Sequence, residues 1–222
     1  MNALVATELH RLERRLQGPR RLREDMVSEV RDGLLDATAA HRDAGLDPAA
    51  AARRALEELG DIEVLARELQ HEVTAREARR AALVVGLAFL PLVVAWDLVW
   101  RLAPHSGPPP GEGLAAVYAA IDLVQVAAGL AGGALAVALR RPHARPRLWR
   151  AAGLLGVATP AVVGALAVAM LTYGPWAAGP ALATPVTALL SVASASALVG
   201  SAVVGARCMR LMPGQPPAAS GR

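Results

Sequence analysis

Four apolar stretches, near residues 81–102, 114–139, 151–173 and 181–206, constrain this 222-residue chain more than any other feature. Each is close to the ~20 residues that an α-helix needs to cross about 30 Å of hydrocarbon. In lipid the backbone must satisfy its own hydrogen bonds, so each stretch is expected to be helical. The charges lie elsewhere: 16 of the 19 acidic and 14 of the 23 basic residues precede residue 81. A charged front joined to an apolar back excludes a single soluble domain. It predicts an all-α chain in three parts: a small helical bundle at 1–75, a four-helix transmembrane bundle at 76–210, and a disordered tail at 211–222.

Arginine placement predicts the orientation. Arg76, Arg79 and Arg80 precede the first span, Arg140, Arg141, Arg145, Arg147 and Arg150 fill the second link, and Arg207 and Arg210 follow the fourth span. The first and third links carry no basic residue, and Arg101 stands at the end of span one. Basic links stay inside, so a multi-pass protein of the cell membrane with both termini in the cytoplasm is expected. Trp96, Trp100, Tyr118, Tyr173 and Trp176 then fall near the outer boundary and Trp149 near the inner one.

Within the spans, Gly129 and Gly133 form a GxxxG pair, and Ser191, Ala195, Ser196 and Gly200 give span four small faces. Small residues let helices approach closely in lipid, although an Ala/Gly-rich composition also yields such pairs by chance. Pro160 is expected to kink span three. Asp97 and Asp122 are the ionisable groups inside the spans, and an intramembrane carboxylate is a candidate ion or proton site. The structural reading is weightier, because Asp97 precedes Arg101 by one turn on the same helix face. Both aspartates also lie in the outer halves of their spans, within reach of water. Gln125, one turn from Asp122, is that residue's candidate partner.

The charged front reads as four helices. Val5, Leu9, Leu12 and Leu16 mark one apolar face over residues 3–17. Gly18 ends that helix, and Pro19 suits the first position of the next. Leu22, Met26, Val30 and Leu34 then recur every fourth residue up to Gly45, placed as a C-terminal cap. Asp47 and Pro48 form an N-cap and first-position pair for a third helix that points Leu56 and Leu59 inward and stops at Gly60. Asp61 caps the fourth, striped by Ile62, Leu65, Leu69 and Val73. Residues 70–82 hold neither Gly nor Pro, so this helix is expected to run into span one as a rod. So small a domain is expected to draw only ~3–5 kcal/mol from its core and to need a partner, a second copy or the membrane surface.

Several chemistries are absent from the sequence. All 23 basic residues are arginine, which removes a Walker A lysine and lysine nucleophiles. Cys208 is the one cysteine, so it forms no internal disulfide; it is placed just past span four. His10, His41 and His71 are spread over three charged helices and are expected to be solvated rather than zinc ligands. With no catalytic signature, no cofactor motif and no basic stripe interleaved with aromatics, an enzyme and a direct nucleic-acid binder are both unexpected. Charges recur throughout the first thirty residues, so no signal peptide is expected there.

The series Leu9, Leu12, Leu16, then Gly18-Pro19-Arg20, Glu29-Val30-Arg31-Asp32-Gly33-Leu34, Gly45-Leu46-Asp47-Pro48 and Ala55-x3-Leu59-Gly60-Asp61 resembles the HAAS domain. It is also similar to the related permease prefix domain. The resemblance covers residues 1–75, and its most specific element is Leu59-Gly60-Asp61. Such modules precede membrane spans in bacterial proteins and are often encoded beside PadR-like regulators. The resemblance implies a membrane regulator whose helical domain docks a soluble partner such as a PadR-like repressor. An alternative is a permease-like subunit working with a separate ATPase, and a third is a structural scaffold. Membrane lipid and a second copy are further expected partners.

Overall fold

The structure, a computed structural model, describes residues 3–102, 111–141, 145–173 and 185–212. Among the described residues there are helices and no strands: α1 Ala3–Arg15, α2 Arg20–Asp43, α3 Pro48–Leu59, α4 Ile62–Leu102, α5 Glu112–Ala138, α6 Pro146–Tyr173 and α7 Pro185–Leu211. The chain is all-α, as its patterning predicts. Most of the first link, the 174–180 turn with Trp176, and the tail beyond residue 212 lie outside the described residues. The chain divides into two compact units, Met1–Arg76 and Glu77–Arg222.

In the first unit, Val5, Leu9, Leu12 and Leu16 are buried and meet Val27 and Leu34 of α2, Ala52 and Ala55 of α3, and Ile62 and Ala66 of α4. On α2 the buried residues are Met26, Val27 and Leu34, while Val30 packs only partly against the core. A strict four-residue spacing drifts around a helix of 3.6 residues per turn, which brings Val27 onto the inner face. Pro19 lies one position before the place expected of it: its ψ of 132° is extended, so it is the N-cap and α2 begins at Arg20. Gly45, at φ +97°, completes the C-terminal stop. Its N–H donates to the Arg42 carbonyl and that of Leu46 donates to the His41 carbonyl, the paired bonds of a Schellman motif.

The expected inward leucines of α3, Leu56 and Leu59, do pack against the core, but they are not its deepest residues. The fully buried face of α3 is Ala51, Ala52 and Ala55, while Leu56 and Leu59 are half-buried at the edge. Alanines let the α3 backbone come close to its neighbours, which pushes the longer side chains to the rim.

In the second unit, Val85 and Phe89 of α4 meet Ala128 of α5, with Leu155 of α6 and Leu198 of α7 against them. All four helices of this unit are long and apolar enough to cross a membrane. Two glycine contacts set their spacing. A Cβ on Gly132 would stand 2.8 Å from both the Ala82 carbonyl oxygen and the Gly86 nitrogen. A Cβ on Gly205 would stand 2.8 Å from the Gly156 carbonyl carbon, and one on Gly156 would stand 2.9 Å from the Gly205 Cα. Backbone therefore touches backbone between α4 and α5 and between α6 and α7.

The packed registers differ from those expected. Gly129 is buried against Leu90, but the Cβ position of Gly133 is open and the second occupied position is Gly132. On α7, Ser191, Ala195 and Ser196 are exposed, and a Cβ on Gly200 would meet nothing within 4 Å. Thr187, Ser201, Val204, Gly205 and Cys208 form the inner face instead. Helix α7 also runs past the expected boundary, so Cys208 lies within it, fully buried, its thiol 3.7 Å from the Trp149 carbonyl.

Substituting Leu for Gly156 or Gly205 should overpack these contacts and lower stability by about 1–3 kcal/mol. Substituting Leu for Gly200 should be nearly neutral. Thermal unfolding of the full chain in detergent distinguishes the positions; equal effects at all of them would contradict this packing.

Candidate functional site

The first unit carries an open groove of about 510 Å³ between α1, α3 and the start of α4. Its apolar floor is Leu4, Leu56, Leu59 and Ile62, and its rim carries Glu8, Arg11, Arg53, Glu57 and Asp61. Local sequence builds both edges. Asp47 starts α3: its Oδ1 accepts from the N–H groups of Ala49 at 2.9 Å and Ala50 at 3.0 Å, with Pro48 at the first helical position. Those bonds, Ala50's first and Ala49's next, hold the Asp47 carboxyl below its ordinary range. Gly60 then turns the chain at φ +82°, a conformation that other residues adopt at a cost. Asp61 caps α4, its Oδ1 accepting from the Glu63 N–H at 2.7 Å. The Leu59-Gly60-Asp61 sequence thus forms one wall of the groove.

Ion pairs fix the rim on the α1 side. Arg15 lies 2.8 Å from Glu63, and Arg11 lies 3.7 Å from Glu63 and 3.9 Å from Glu8. The Gln17 N–H donates to Gln70 Oε1 at 2.8 Å. Arg53, on the rim, acts electrostatically on Asp47 and makes no ion pair within 4 Å among the described residues.

The histidines do not converge. His41 lies 3.1 Å from Glu58 and joins α2 to α3, and His10 lies beside Glu13 on α1. Among the described residues no group of three metal-ligating side chains forms.

In the second unit, the Arg101 Nε donates to Asp97 Oδ2 at 2.7 Å, an ion pair along one face of α4. Asp97 and Asp122 are both exposed on their helices. Gln125, one turn along α5 from Asp122, is half-buried. Aromatic contacts tie the same ends of the helices together. Trp100 meets Tyr118 edge-to-face at 6.1 Å between ring centroids, and the Trp96 indole N–H donates to Ser194 Oγ at 3.1 Å.

Sequence reasoning missed Glu77, which is 4% exposed, lies 3.8 Å from Arg80 and leaves its Oε2 without a partner. A carboxylate amid Ala75, Ala78, Ala81 and Ala82 was the available signal, since such a row of small residues is readily buried.

Residues 9–68 match the HAAS family. No curated protein and no solved structure matches the chain. The match includes Arg11, Arg53, Leu56, Glu57, Leu59, Gly60, Asp61 and Ile62 of the groove, while Leu4 and Glu8 of α1 precede it.

Asp47 gives a pH test. Its folded carboxyl is more acidic than its unfolded one, so its capping contribution is present above about pH 4 and fades as pH falls through the folded value. Asp47→Ala should loosen α3 at pH 7 and change nothing once the wild-type carboxyl is protonated. Amide exchange over residues 48–59 reads this; a difference independent of pH would contradict it.

Proposed function

We propose that this chain is a non-enzymatic membrane regulator whose HAAS domain docks a soluble protein, a PadR-like transcriptional regulator. The observation that carries the proposal is that the Leu59-Gly60-Asp61 segment of the matched domain lines an open groove with an apolar floor and a charged rim. Such a groove suits an amphipathic helix that lays its apolar face on Leu4, Leu56 and Ile62 and offers polar groups to the rim. The arginine pattern of the links supports a cytoplasmic position for both termini, and so for the groove. The absence of lysine and of any catalytic signature in the sequence favours docking over catalysis.

Capture of partners by the tagged full chain from native-host membranes tests this. A PadR-like regulator recovered stoichiometrically, lost with Leu56→Glu and kept with Leu35→Glu on another surface of the domain, is the expected result. Recovery of an ATPase subunit would favour a permease-like role instead, a reading supported by the Asp97 and Asp122 carboxylates within the apolar helices.

Helix α4 supplies a route for coupling, because it is one helix of 41 residues that begins at the groove and continues as the first apolar span. Replacing Ala75-Arg76 by Gly-Pro breaks its hydrogen bonding. Membrane insertion and partner capture should survive, while the transcript profile should become that of a strain lacking the protein. A wild-type profile would overturn coupling through α4.

A further inference from the structure

A second groove, of about 230 Å³, runs along the membrane-spanning part between α4 and α5. Gly86, Gly129 and Gly133 border it, and its floor is open at Gly133, where the position of a side chain would be empty to 4 Å. Leu83, Leu87, Leu90 and Val137 wall it, Leu87 and Val137 being 72% and 63% exposed. Arg140 closes one end. Arg79 stands one helical turn before Leu83 on the same face of α4, so both helices bring an arginine toward that end. Neither Arg79 nor Arg140 makes an ion pair among the described residues, whereas Arg80 beside them is held by Glu77.

We propose that this groove seats one acyl chain of an anionic phospholipid, with the lipid phosphate between Arg79 and Arg140. The two ends of the groove have the two chemistries of such a lipid. The glycine floor admits a flexible hydrocarbon chain close to the backbone, and the arginine end supplies two unneutralised cations at the depth where headgroups lie. A second copy of this chain fits less well, since a like helix would bring the same arginines against these. The lipid would brace the α4–α5 contact at Gly86 and Gly132, and the proposal holds whichever soluble partner the HAAS domain docks.

The test is lipid retention by the full chain, purified in uncharged detergent and offered phosphatidylglycerol or phosphatidylcholine, read by native mass spectrometry. Wild type should retain phosphatidylglycerol in preference. Arg140→Gln and Arg79→Gln should each weaken that retention about fivefold, the worth of one arginine at an anionic surface. Arg210→Gln, the same charge loss at the end of α7, should not. Gly133→Leu should expel both lipids without unfolding the protein, its side chain entering open space. Equal retention of the two lipids by wild type, or equal losses with Arg210→Gln and Arg140→Gln, would overturn the proposal. So would a dimer that Gly133→Leu dissociates with lipid retention unchanged, because the groove would then seat a second copy.

Discussion

Backbone-to-backbone contact at glycine is the interaction on which the apolar unit depends. Lipid is as apolar as the leucine side chains of α4 to α7, so burying them against each other gains little. What remains is close approach, and the chain achieves it at Gly86 with Gly132 and at Gly156 with Gly205. Around these points Val85, Phe89 and Ala128 fill the centre, and Trp96 and Trp100 tie α4 to its neighbours. The same contacts shape the surface: where Gly133 faces outward from the α4–α5 crossing, a groove is left beside it.

The charged unit reaches a similar end by other means. Water drives its core together, and Leu12 and Leu16 are almost fully buried. Yet α3 again approaches on small residues, and its leucines are displaced to an edge where they floor a groove. Caps at Asp47 and Asp61 and the turn at Gly60 fix that edge with short-range bonds rather than bulk. A groove built in this way keeps its apolar groups open while the domain stays folded.

The helices were legible because their signals are local. The Asp47-Pro48 start, the Gly45 and Gly60 stops and the unbroken run through residues 70–82 each act within a turn or two of chain. Faces were less legible, because they depend on which neighbour arrives. One periodic pattern of small residues on α7 fits Ser191 and Ala195 as well as Ser201 and Gly205, and only packing against α6 selects the second. Gly86 of α4 lies against the backbone of Gly129, Gly132 and Gly133 alike, but it is the Cβ position of Gly132, not of Gly133, that α4 occupies. Cys208 is buried because Val204, Cys208 and Leu211 extend the inner face of α7 beyond the apolar stretch. The groove of the first unit was partly visible, its wall being the Leu59-Gly60-Asp61 element; its floor was not, since Leu4 and Leu56 are far apart in the chain.

On the proposed function, the groove at Leu56 holds a soluble regulator while the apolar helices hold the protein in the membrane. A photoreactive amino acid at position 56 of the full chain, activated in living native cells, tests it most directly. A single crosslinked product containing a PadR-like DNA-binding protein, formed in the membrane fraction, is the expected result. Crosslinking to an ATPase subunit, or no crosslinked protein, would contradict it.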